Sequence, residues 1–323
     1  MGERFLFRLS PRLEYLLVRM VFEALRAEGR DPTDNLALEE ALLSLPGDAE
    51  ALLLLYVNDP CVVVGRNQNP WAEVDPRSDL PVRRRVSGGG TVYHDAGNLN
   101  WALLVPRRLH DQDAELALVA GALCALGFGV EPGPRGGLYL GGGSDRAGGK
   151  VSGTARRFGP RRVLHHGTIL VDADLGRLRA SLGGIRPVSS RAVASVPGRP
   201  VNLSALRPGL GAEALAADLM AYFASAGLAG EAGSAESFLA ASGAAEVARE
   251  ARERHLGWDW TWGQTPDFSV SAPALSGDVI VDVKGGRVAG LHGPGAKDRA
   301  DLLGRRFEYD LPLALSRSDG GAA

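Results

Sequence analysis

The sequence predicts an α+β (mixed α/β) fold, in which a largely antiparallel mixed sheet is flanked by helices. Three observations lead to this class: short β-rich apolar runs, segments with helical spacing, and turn signals typical of hairpins. This mixture is not the pattern of a doubly wound parallel sheet. The chain has 323 residues, of which 45% are hydrophobic, so it can bury a sizeable core and form one large domain and one small one.

Apolar spacing and turn residues predict the individual elements. Helices are expected at 13–25, 35–44, 116–126, 175–182, 212–226, 236–255 and from Ala296 onward. Strands are expected at 52–57, 61–64, 101–105, 163–171, 268–270, 279–283 and 288–291. Asn58-Asp59-Pro60 predicts a hairpin between the first two strands, and Lys284-Gly285-Gly286 predicts a turn between the last two. Residues 138–149 are expected to form a glycine-rich loop.

Changes of pattern along the chain predict its domain boundaries. Residues 1–30 are expected to be an N-terminal extension, and 31–262 the large domain. After Trp262 the helical spacing gives way to short strands, which predicts a small C-terminal domain at 263–316. Residues 317–323 are expected to be a disordered tail.

Composition excludes several classes of function and location. A net charge of −2 gives no general attraction for nucleic acid or for an anionic membrane. No apolar run approaches the roughly 20 residues that a membrane span needs. Arginines and glutamates alternate through residues 1–30, which argues against a signal or transit peptide. Cys61 and Cys124 both stand in apolar surroundings, so neither a disulfide framework nor a cysteine metal site is expected, and a reducing cytoplasm fits.

The first chemical motif is the segment 83–95, RRRVSGGGTVYHD. Consecutive glycines let the backbone turn tightly and direct several N–H groups at one anion. The neighbouring arginines supply forked donors suited to phosphate or carboxylate. Taken alone, the segment also fits a glycine hairpin with a solvated basic edge, and it matches neither GxGxxG nor a Walker A loop.

The second motif is GGKVSGTA at 148–155, which contains Lys150. Of the 36 basic residues only Lys150, Lys284 and Lys297 are lysines, so an ordinary solvated positive charge would be written as arginine here. A lysine in a glycine-lined turn therefore indicates a need for a compact ammonium group that reaches an anion.

The third motif is LHHGTIL at 164–170. Adjacent histidines in a strand point to opposite faces, so His165 and His166 cannot ligate one metal together. One is expected to face a pocket and the other to pack in the core. No structural metal site is expected in the protein.

Together these motifs resemble the lipoate-protein ligase A family, within the biotin/lipoate ligase superfamily. The matching pieces are NLALEEALL (35–43), VVVGRNQNPWAEVD (62–75), RRRVSGGGTVYHDAGNLN (83–100), GKVSGTA (149–155), HHGTILVDADL (165–175), SSR (189–191) and WDWTWGQTPDF (258–268). The resemblance implies that 31–262 is a lipoate-ligase-like catalytic domain and that 263–316 is an accessory domain.

The resemblance also implies a reaction. The family forms lipoyl-AMP from lipoate and ATP with Mg²⁺, then transfers the lipoyl group to a lysine of a lipoyl domain. The acceptors it implies are the lipoyl domains of 2-oxoacid dehydrogenase E2 subunits or the glycine-cleavage H protein, with no nucleic acid and no membrane as partner. Bringing two anions together calls for positive groups, backbone N–H donors and Mg²⁺.

Residue roles follow from the matching positions. Lys150 resembles the lysine that touches both the lipoate carboxylate and the α-phosphate. The segment along ATP is implied to comprise Arg85, Gly90, Thr91, Val92 and Tyr93, and the lipoate pocket to comprise Gly88, Gly89, Val86 and His94. Val64 and Val151 are further candidates for its apolar wall.

One departure from the family pattern concerns a pair of residues before the lysine, commonly Asn-Asp. The corresponding positions here are Gly136 and Gly137. If the missing acid holds Mg²⁺ or orients Lys150, adenylation is weakened, and Asp145 is a candidate substitute. The stretch 263–316 is also shorter than usual.

Two alternatives stay open at this stage. The first is a lipoyl- or octanoyltransferase that acts without ATP; a version with an acyl-enzyme would need an activated cysteine, which neither Cys61 nor Cys124 resembles. The departure at Gly136 and Gly137 and the stretch 194–197 favour a transferase that accepts preformed lipoyl-AMP. The second is a non-catalytic lipoate- or acceptor-binding protein, against which the lysine at position 150 argues.

Overall fold

The computed structural model describes residues 22–46, 50–141, 148–272, 277–294 and 296–310. Most of the predicted N-terminal extension, the predicted disordered tail and Asp145 lie outside these ranges. The helix predicted at 13–25 is wrong for its last residues, because Phe22–Arg26 is a strand. Its backbone pairs with strands on both sides, so its apolar side chains are buried within a sheet instead of on a helix face.

All seven predicted strands are present, several of them longer than predicted, together with further strands that the sequence analysis did not predict. They are β1 (Phe22–Arg26), β2 (Ala51–Val57), β3 (Cys61–Val64), β4 (Val82–Arg84), β5 (Val92–His94), β6 (Asn98–Pro106), β7 (Val130–Gly133), β8 (Gly137–Leu140), β9 (Lys150–Ser152), β10 (Thr154–Phe158), β11 (Arg162–Leu170), β12 (Ser189–Ser190), β13 (Gly233–Ser234), β14 (Phe268–Ala272), β15 (Val279–Lys284) and β16 (Arg287–His292).

The helices are α1 (Pro32–Ser44), α2 (Pro70–Glu73), α3 (Gln112–Ala125), α4 (Leu175–Ser181), α5 (Ala212–Ser225), α6 (Ala235–Ser242), α7 (Ala245–Leu256) and α8 (Trp258–Thr261). Helix α1 begins where the Asp31 carboxylate accepts a hydrogen bond from the Thr33 N–H and where Pro32 presets the first turn. The single helix predicted at 236–255 is wrong, because Gly243, with φ at 75°, ends α6 in a left-handed conformation. From Ala296 the chain forms a 3-10 helix to Leu302.

The described residues form two compact units, each built from three stretches of chain. Among the described residues, the first unit draws on 22–61, 94–175 and 197–253, and the second on 62–93, 176–196 and 254–310. The predicted boundary between a catalytic and an accessory domain at 262/263 stays a prediction.

The first unit contains a six-stranded sheet in the order β10-β11-β6-β2-β1-β13. The four strands from β10 to β2 are antiparallel, whereas β1 runs parallel to β2 and to β13. Every residue of β2 and of β6 is buried, because α3 and α5 contribute apolar side chains to the same core. The predicted mixed, largely antiparallel sheet with flanking helices is thus confirmed.

A smaller antiparallel sheet of the first unit, β7-β8-β9, carries Lys150. The glycine-rich loop predicted at 138–149 is wrong for its first residues, since Gly137–Leu140 is a buried strand. Leu138 is fully buried in the core of the unit, which explains why the chain pairs here in spite of its glycines. Residues 142–147 lie outside the described part of the chain.

The second unit contains a three-stranded sheet, β4-β3-β5, and an antiparallel four-stranded sheet, β12-β14-β15-β16. The turn predicted at Lys284-Gly285-Gly286 is confirmed, with φ at 55° and 71° for its two glycines. The hairpin predicted at 58–60 is wrong. Both edges of β2 are taken by β1 and β6, so β3 cannot pair with β2 and joins another sheet.

Candidate functional site

The buried guanidinium of Arg85 holds the triple-glycine turn in place. Its Nη2 donates to the carbonyl oxygens of Gly88 at 2.6 Å and Gly90 at 2.7 Å. Nη1 donates to Val63 O and Nε to Ser87 Oγ, and the residue is 5% exposed. The bonds to the turn carbonyls therefore assign Arg85 a bracing role, while nucleotide contact by its side chain stays a prediction.

These carbonyl bonds also set the direction of the turn's N–H groups. In a trans peptide unit the C=O and the following N–H point opposite ways, and the described residues contain no cis peptide bond. The N–H groups of Gly89 and Thr91 are consequently directed away from the Arg85 guanidinium. Gly89 has φ at 84°, the left-handed conformation that such an anion-binding turn uses. The Thr91 N–H donates to Ser195 Oγ at 2.9 Å, and anion binding by the turn stays a prediction.

Gly65, at the end of β3, packs directly against the same turn. A Cβ atom on residue 65 would overlap the carbonyl oxygen of Gly89, so this position requires glycine. The Gly65 N–H donates to Gln68 Oε1 at 2.8 Å. Gly65 and Gln68 lie in the stretch 62–75, but their roles could not be predicted from it because their partners are distant in sequence.

A polar cluster of Gln68, Thr91 and Ser195 lies beside the turn. Gln68 is fully buried; its Oε1 accepts from Thr91 Oγ1 at 2.9 Å, and its Nε2 donates to Ser195 Oγ at 2.9 Å. Ser195 Oγ also accepts from the Thr91 N–H at 2.9 Å. The stretch 194–197, cited in favour of a transferase, thereby contributes a side chain to the predicted nucleotide segment.

Arg84 is a structural arginine. Its guanidinium is fully buried and donates to the carbonyl oxygens of Gly65, Arg66, Gln68, Trp260 and Thr261 and to the hydroxyl of Thr265. Burial, followed by the charges of Arg66 and Arg85, lowers its pKa to about 9. Of the three arginines proposed as ligand donors, Arg84 and Arg85 thus bind protein oxygens, and Arg83 donates to Val82 O.

Lys150 begins β9 in the first unit, where its backbone bonds to residues 199 and 201. Its N–H donates to Arg199 O at 2.7 Å, and its carbonyl accepts from Val201 N at 3.1 Å. The ammonium Nζ lies 5.9 Å from the centre of the Tyr139 ring, on the paired strand β8. Both edges of β9 are therefore paired, one with β8 and the other with residues 199–201, so the lysine extends from a strand that is held on both sides.

Three glycines leave space for the Lys150 side chain. A Cβ atom would lie 2.8 Å from Lys150 Cε at residue 137, 3.6 Å from Nζ at residue 153, and 3.7 Å from Cδ at residue 198. The groove that these backbones form accepts a thin methylene chain. At residue 137 a Cβ atom would also lie 2.9 Å from Tyr139 Cε2 and 3.0 Å from the Ser152 carbonyl oxygen, so a side chain there requires these neighbours to shift.

Gly136 is constrained in a different way. Its φ of 67° disfavours a side chain, and a Cβ atom there would lie 2.8 Å from Thr154 Oγ1. Thr154 Oγ1 donates to Gly136 O at 2.7 Å. A side chain at either position of the Asn-Asp pair that the resemblance implies would therefore require neighbouring atoms to shift.

His165 and His166 are both buried, and each bonds to a different helix. His165 Nδ1 lies 2.8 Å from Glu115 Oε2 on α3, and His166 Nδ1 lies 2.8 Å from Glu39 Oε1 on α1. Burial lowers the pKa of His165, an effect that the Glu115 carboxylate opposes. The described residues contain no group of three or more histidine, cysteine or acidic side chains that could hold a metal ion.

The other predicted lipoate and wall residues are distributed between the units. Val64 and Tyr93 are buried in an apolar cluster of the second unit, and Val86 is 8% exposed. Val151 is fully buried in the core of the first unit. His94 accepts a hydrogen bond at Nδ1 from Asn58, whose own Oδ1 faces the Asn35 amide, so His94 carries its proton on Nε2.

No helix among the described residues is long and apolar enough to span a bilayer.

Cys61 is buried at the start of β3, and Cys124 lies in α3 with its sulfur 3.2 Å from Val130 O. A fully buried thiol such as that of Cys61 lacks the access that an activated cysteine needs, and the Cys124 thiol donates to a backbone carbonyl.

Three solved structures resemble this chain in fold. The P. falciparum protein LipL1, solved in complex with lipoate, matches with a TM-score of 0.62 at 20% identity, over 91% of this chain and 93% of that one. A structure of a bipartite lipoate protein ligase and its E2 lipoyl domain from Thermoplasma acidophilum matches with a TM-score of 0.59 at 22% identity, over 74% of this chain and 96% of that one. A lipoate-protein ligase A bound with ATP matches at 0.58 and 21% identity, over 74% and 98%.

The family itself is shown by a match to sequence. The model of the lipoyl protein ligase A/B catalytic domain matches residues 31–224, which is more than half of the 323-residue chain. It covers the glycine turn, Lys150 and the two histidines. The protein belongs to the family defined by the lipoyl protein ligase A/B catalytic domain.

Proposed function

We propose that this enzyme activates lipoate with ATP to form lipoyl-AMP, and then transfers the lipoyl group to a lysine of a lipoyl domain, in the cytoplasm. Family membership supports the lipoyl chemistry. The solved structures of similar fold, which include one with lipoate, one with ATP and one described with its E2 lipoyl domain, agree with the same substrates and acceptor. The H protein of glycine cleavage is the alternative acceptor.

The observation that carries the proposal is the setting of Lys150. A compact ammonium at the end of a glycine-lined groove, on a strand fixed at both edges, is suited to hold two anions that must approach each other. In adenylation the lipoate carboxylate attacks the α-phosphate and pyrophosphate leaves. We assign Lys150 to the carboxylate and the α-phosphate, where it reduces their repulsion in the transition state.

The glycine turn contributes neutral donors. We assign the backbone of Gly90, Thr91, Val92 and Tyr93 to ATP, and Gly88, Gly89, Val86 and His94 to lipoate. Arg85 supports ATP binding by orienting the turn, because its guanidinium bonds to two of the turn's carbonyls.

Mg²⁺ is expected to arrive as MgATP, bound mainly by the phosphates. The described residues offer no cluster of acidic ligands for it. Asp145, the predicted candidate to hold Mg²⁺ or to orient Lys150, lies outside the described residues and stays a prediction.

The direct test is incubation of the pure protein with lipoate and MgATP without any acceptor. Release of pyrophosphate and formation of lipoyl-AMP are expected. Addition of an apo-lipoyl domain should then give lipoylated lysine, detected as a mass increase.

A transferase that accepts preformed lipoyl-AMP is the second candidate, favoured by one observation. Glycines stand at 136 and 137, where the resemblance implies an Asn-Asp pair, and a Cβ atom at either position would lie 2.8 Å from a neighbouring side-chain atom. This candidate predicts transfer from added lipoyl-AMP with no release of pyrophosphate from ATP. A binding protein without catalytic activity would give neither product.

A further inference from the structure

Ser195 is held at three points in the second unit. Its N–H donates to Glu73 Oε1 at 3.0 Å, and its Oγ accepts from Gln68 Nε2 and from the Thr91 N–H, each at 2.9 Å. A half-buried serine on a loop could bond to water in place of these three partners. Three hydrogen bonds to one residue indicate that the structure fixes the position of the Ser195 side chain.

The direction of each bond is determined by the Gln68 amide. The Gly65 N–H can only donate, so the Gln68 atom at 2.8 Å from it must be the oxygen. The Gln68 NH₂ group therefore faces Ser195 and donates to it. Because Gln68 is fully buried and its oxygen also accepts from Thr91 Oγ1, the amide cannot turn over without losing bonds.

It follows that the Ser195 hydroxyl is a donor directed away from the cluster. A hydroxyl oxygen has two lone pairs, and both are used by Gln68 and Thr91. Its hydrogen has no acceptor within hydrogen-bond distance among the residues that the structure describes. The network thus presents one O–H group outward.

This donor lies on the glycine turn. A Cβ atom on residue 90 would be 3.1 Å from Ser195 Oγ, so the absence of a side chain at Gly90 lets the hydroxyl approach. The Thr91 N–H points to Ser195, and the Gly89 N–H is directed away from Arg85 like that of Thr91. The Thr91 N–H is used by Ser195 Oγ, so the outward donor at this point of the turn is the Ser195 O–H, which is suited to an oxygen that carries negative charge.

We propose that Ser195 donates a hydrogen bond to a phosphate oxygen of the bound adenylate, and that Gln68 is a positioning residue that directs this donor outward. The inference rests on the proposed function in taking an adenylate as the ligand. Transfer from preformed lipoyl-AMP would use the same contact. The inference can therefore be tested even if the protein does not itself use ATP.

Four variants separate the donor from a merely structural role. Ser195→Ala removes the hydroxyl, whereas Ser195→Thr keeps it. Gln68→Glu keeps the oxygen that faces Gly65 and Thr91 but replaces the NH₂ with an acceptor, which turns the Ser195 hydrogen inward. The fourth variant combines Ser195→Ala with Gln68→Glu.

Binding of lipoyl-AMP and of adenosine is measured by calorimetry for each variant and for the wild type. Ser195→Ala and Gln68→Glu should each weaken lipoyl-AMP binding by about 10-fold or more and leave adenosine binding unchanged. Ser195→Thr should bind like the wild type. The double variant should lose no more than either single variant, because both changes remove the same donor.

Equal binding of lipoyl-AMP by the wild type and Ser195→Ala would overturn the inference. So would a parallel loss of lipoyl-AMP and adenosine binding, which indicates local disorder. Thermal unfolding of Gln68→Glu shows whether the buried carboxylate disturbs the fold. If it does, the comparison of Ser195→Ala with Ser195→Thr decides between the donor and a structural role. Pyrophosphate release by the wild type is assayed separately, so a failure of the ligase proposal does not appear as a failure at Ser195.

Discussion

Gly137 and Lys150 share one space: the Cε atom of Lys150 lies 2.8 Å from the position that a Cβ atom would take on residue 137. The two residues are on adjacent strands of the small sheet, with Tyr139 paired opposite Lys150. The glycine at position 137, which departs from the family pattern, and the position of the Lys150 side chain therefore depend on each other.

Substitution of Gly137 should test this relationship. Gly137→Ala places a methyl group against the Lys150 side chain, the Tyr139 ring and the Ser152 carbonyl, so the ammonium is displaced. Both adenylate formation and transfer should fall about tenfold or more, which corresponds to roughly 1.4 kcal/mol. Gly137→Asp should not raise adenylation, although it restores an acid. The matched control is Gly129→Ala, where the added methyl meets nothing within 4 Å. Full activity of Gly137→Ala would show that the groove is not required.

Replacement of Lys150 tests the chemistry itself. Lys150→Ala should abolish adenylation and transfer without unfolding the protein, since the residue contributes little to core packing. Lys150→Arg keeps the charge, but its planar fork is wider than the methylene chain that the glycine groove accommodates, so activity should fall about tenfold or more. Lys284→Arg, at an exposed position of the β15–β16 hairpin, is the control and should have no effect. An active Lys150→Arg enzyme would reduce Lys150 to a general positive charge.

Arg84 should matter for stability. Arg84→Lys cannot satisfy the carbonyl oxygens that the guanidinium now bonds, and leaves several buried acceptors without donors. We expect the free energy of unfolding to fall by roughly 3 kcal/mol or more, measured by urea denaturation. Arg83→Lys, at a half-buried neighbouring position, should change it by about 0.5 kcal/mol or less. Similar stabilities for the two variants would contradict the structural role of Arg84.

His165 should make stability depend on pH. Burial lowers its folded pKa below the ordinary value of 6.5, so the unfolded state binds a proton more readily than the folded one. Its contribution is fully present above about pH 6.5 and is lost as the pH falls toward the folded pKa. Urea denaturation at about pH 7.5 and pH 5.5 should show a smaller acid-induced loss in His165→Gln than in the wild type. His292→Gln, at an exposed site, is the comparison, and identical pH dependence in wild type and His165→Gln would contradict the assignment.

Much of the fold was predictable because local patterns determine it. The long runs of β2, β6 and β11 and the spacing of α3 and α5 carry enough periodicity to identify each element. The family was recognised from short motifs whose residues are contiguous. Lys150 could be predicted as a site residue because lysine is rare in this chain, in which most basic residues are arginines.

The tertiary structure alone decided which neighbours meet. Asn58-Asp59-Pro60 has the composition of a hairpin, yet β2 has no open edge for β3. Arg84 and Arg85 are alike in sequence, but one lies among the carbonyls of 65–68 and 260–261 and the other among those of the glycine turn. Ser195 bonds to Gln68 and to Thr91 across 127 and 104 positions of sequence. A hydrogen bond forms only when its two partners lie within a few ångströms of each other. For residues far apart in the chain, that distance cannot be predicted from the local spacing of residue types.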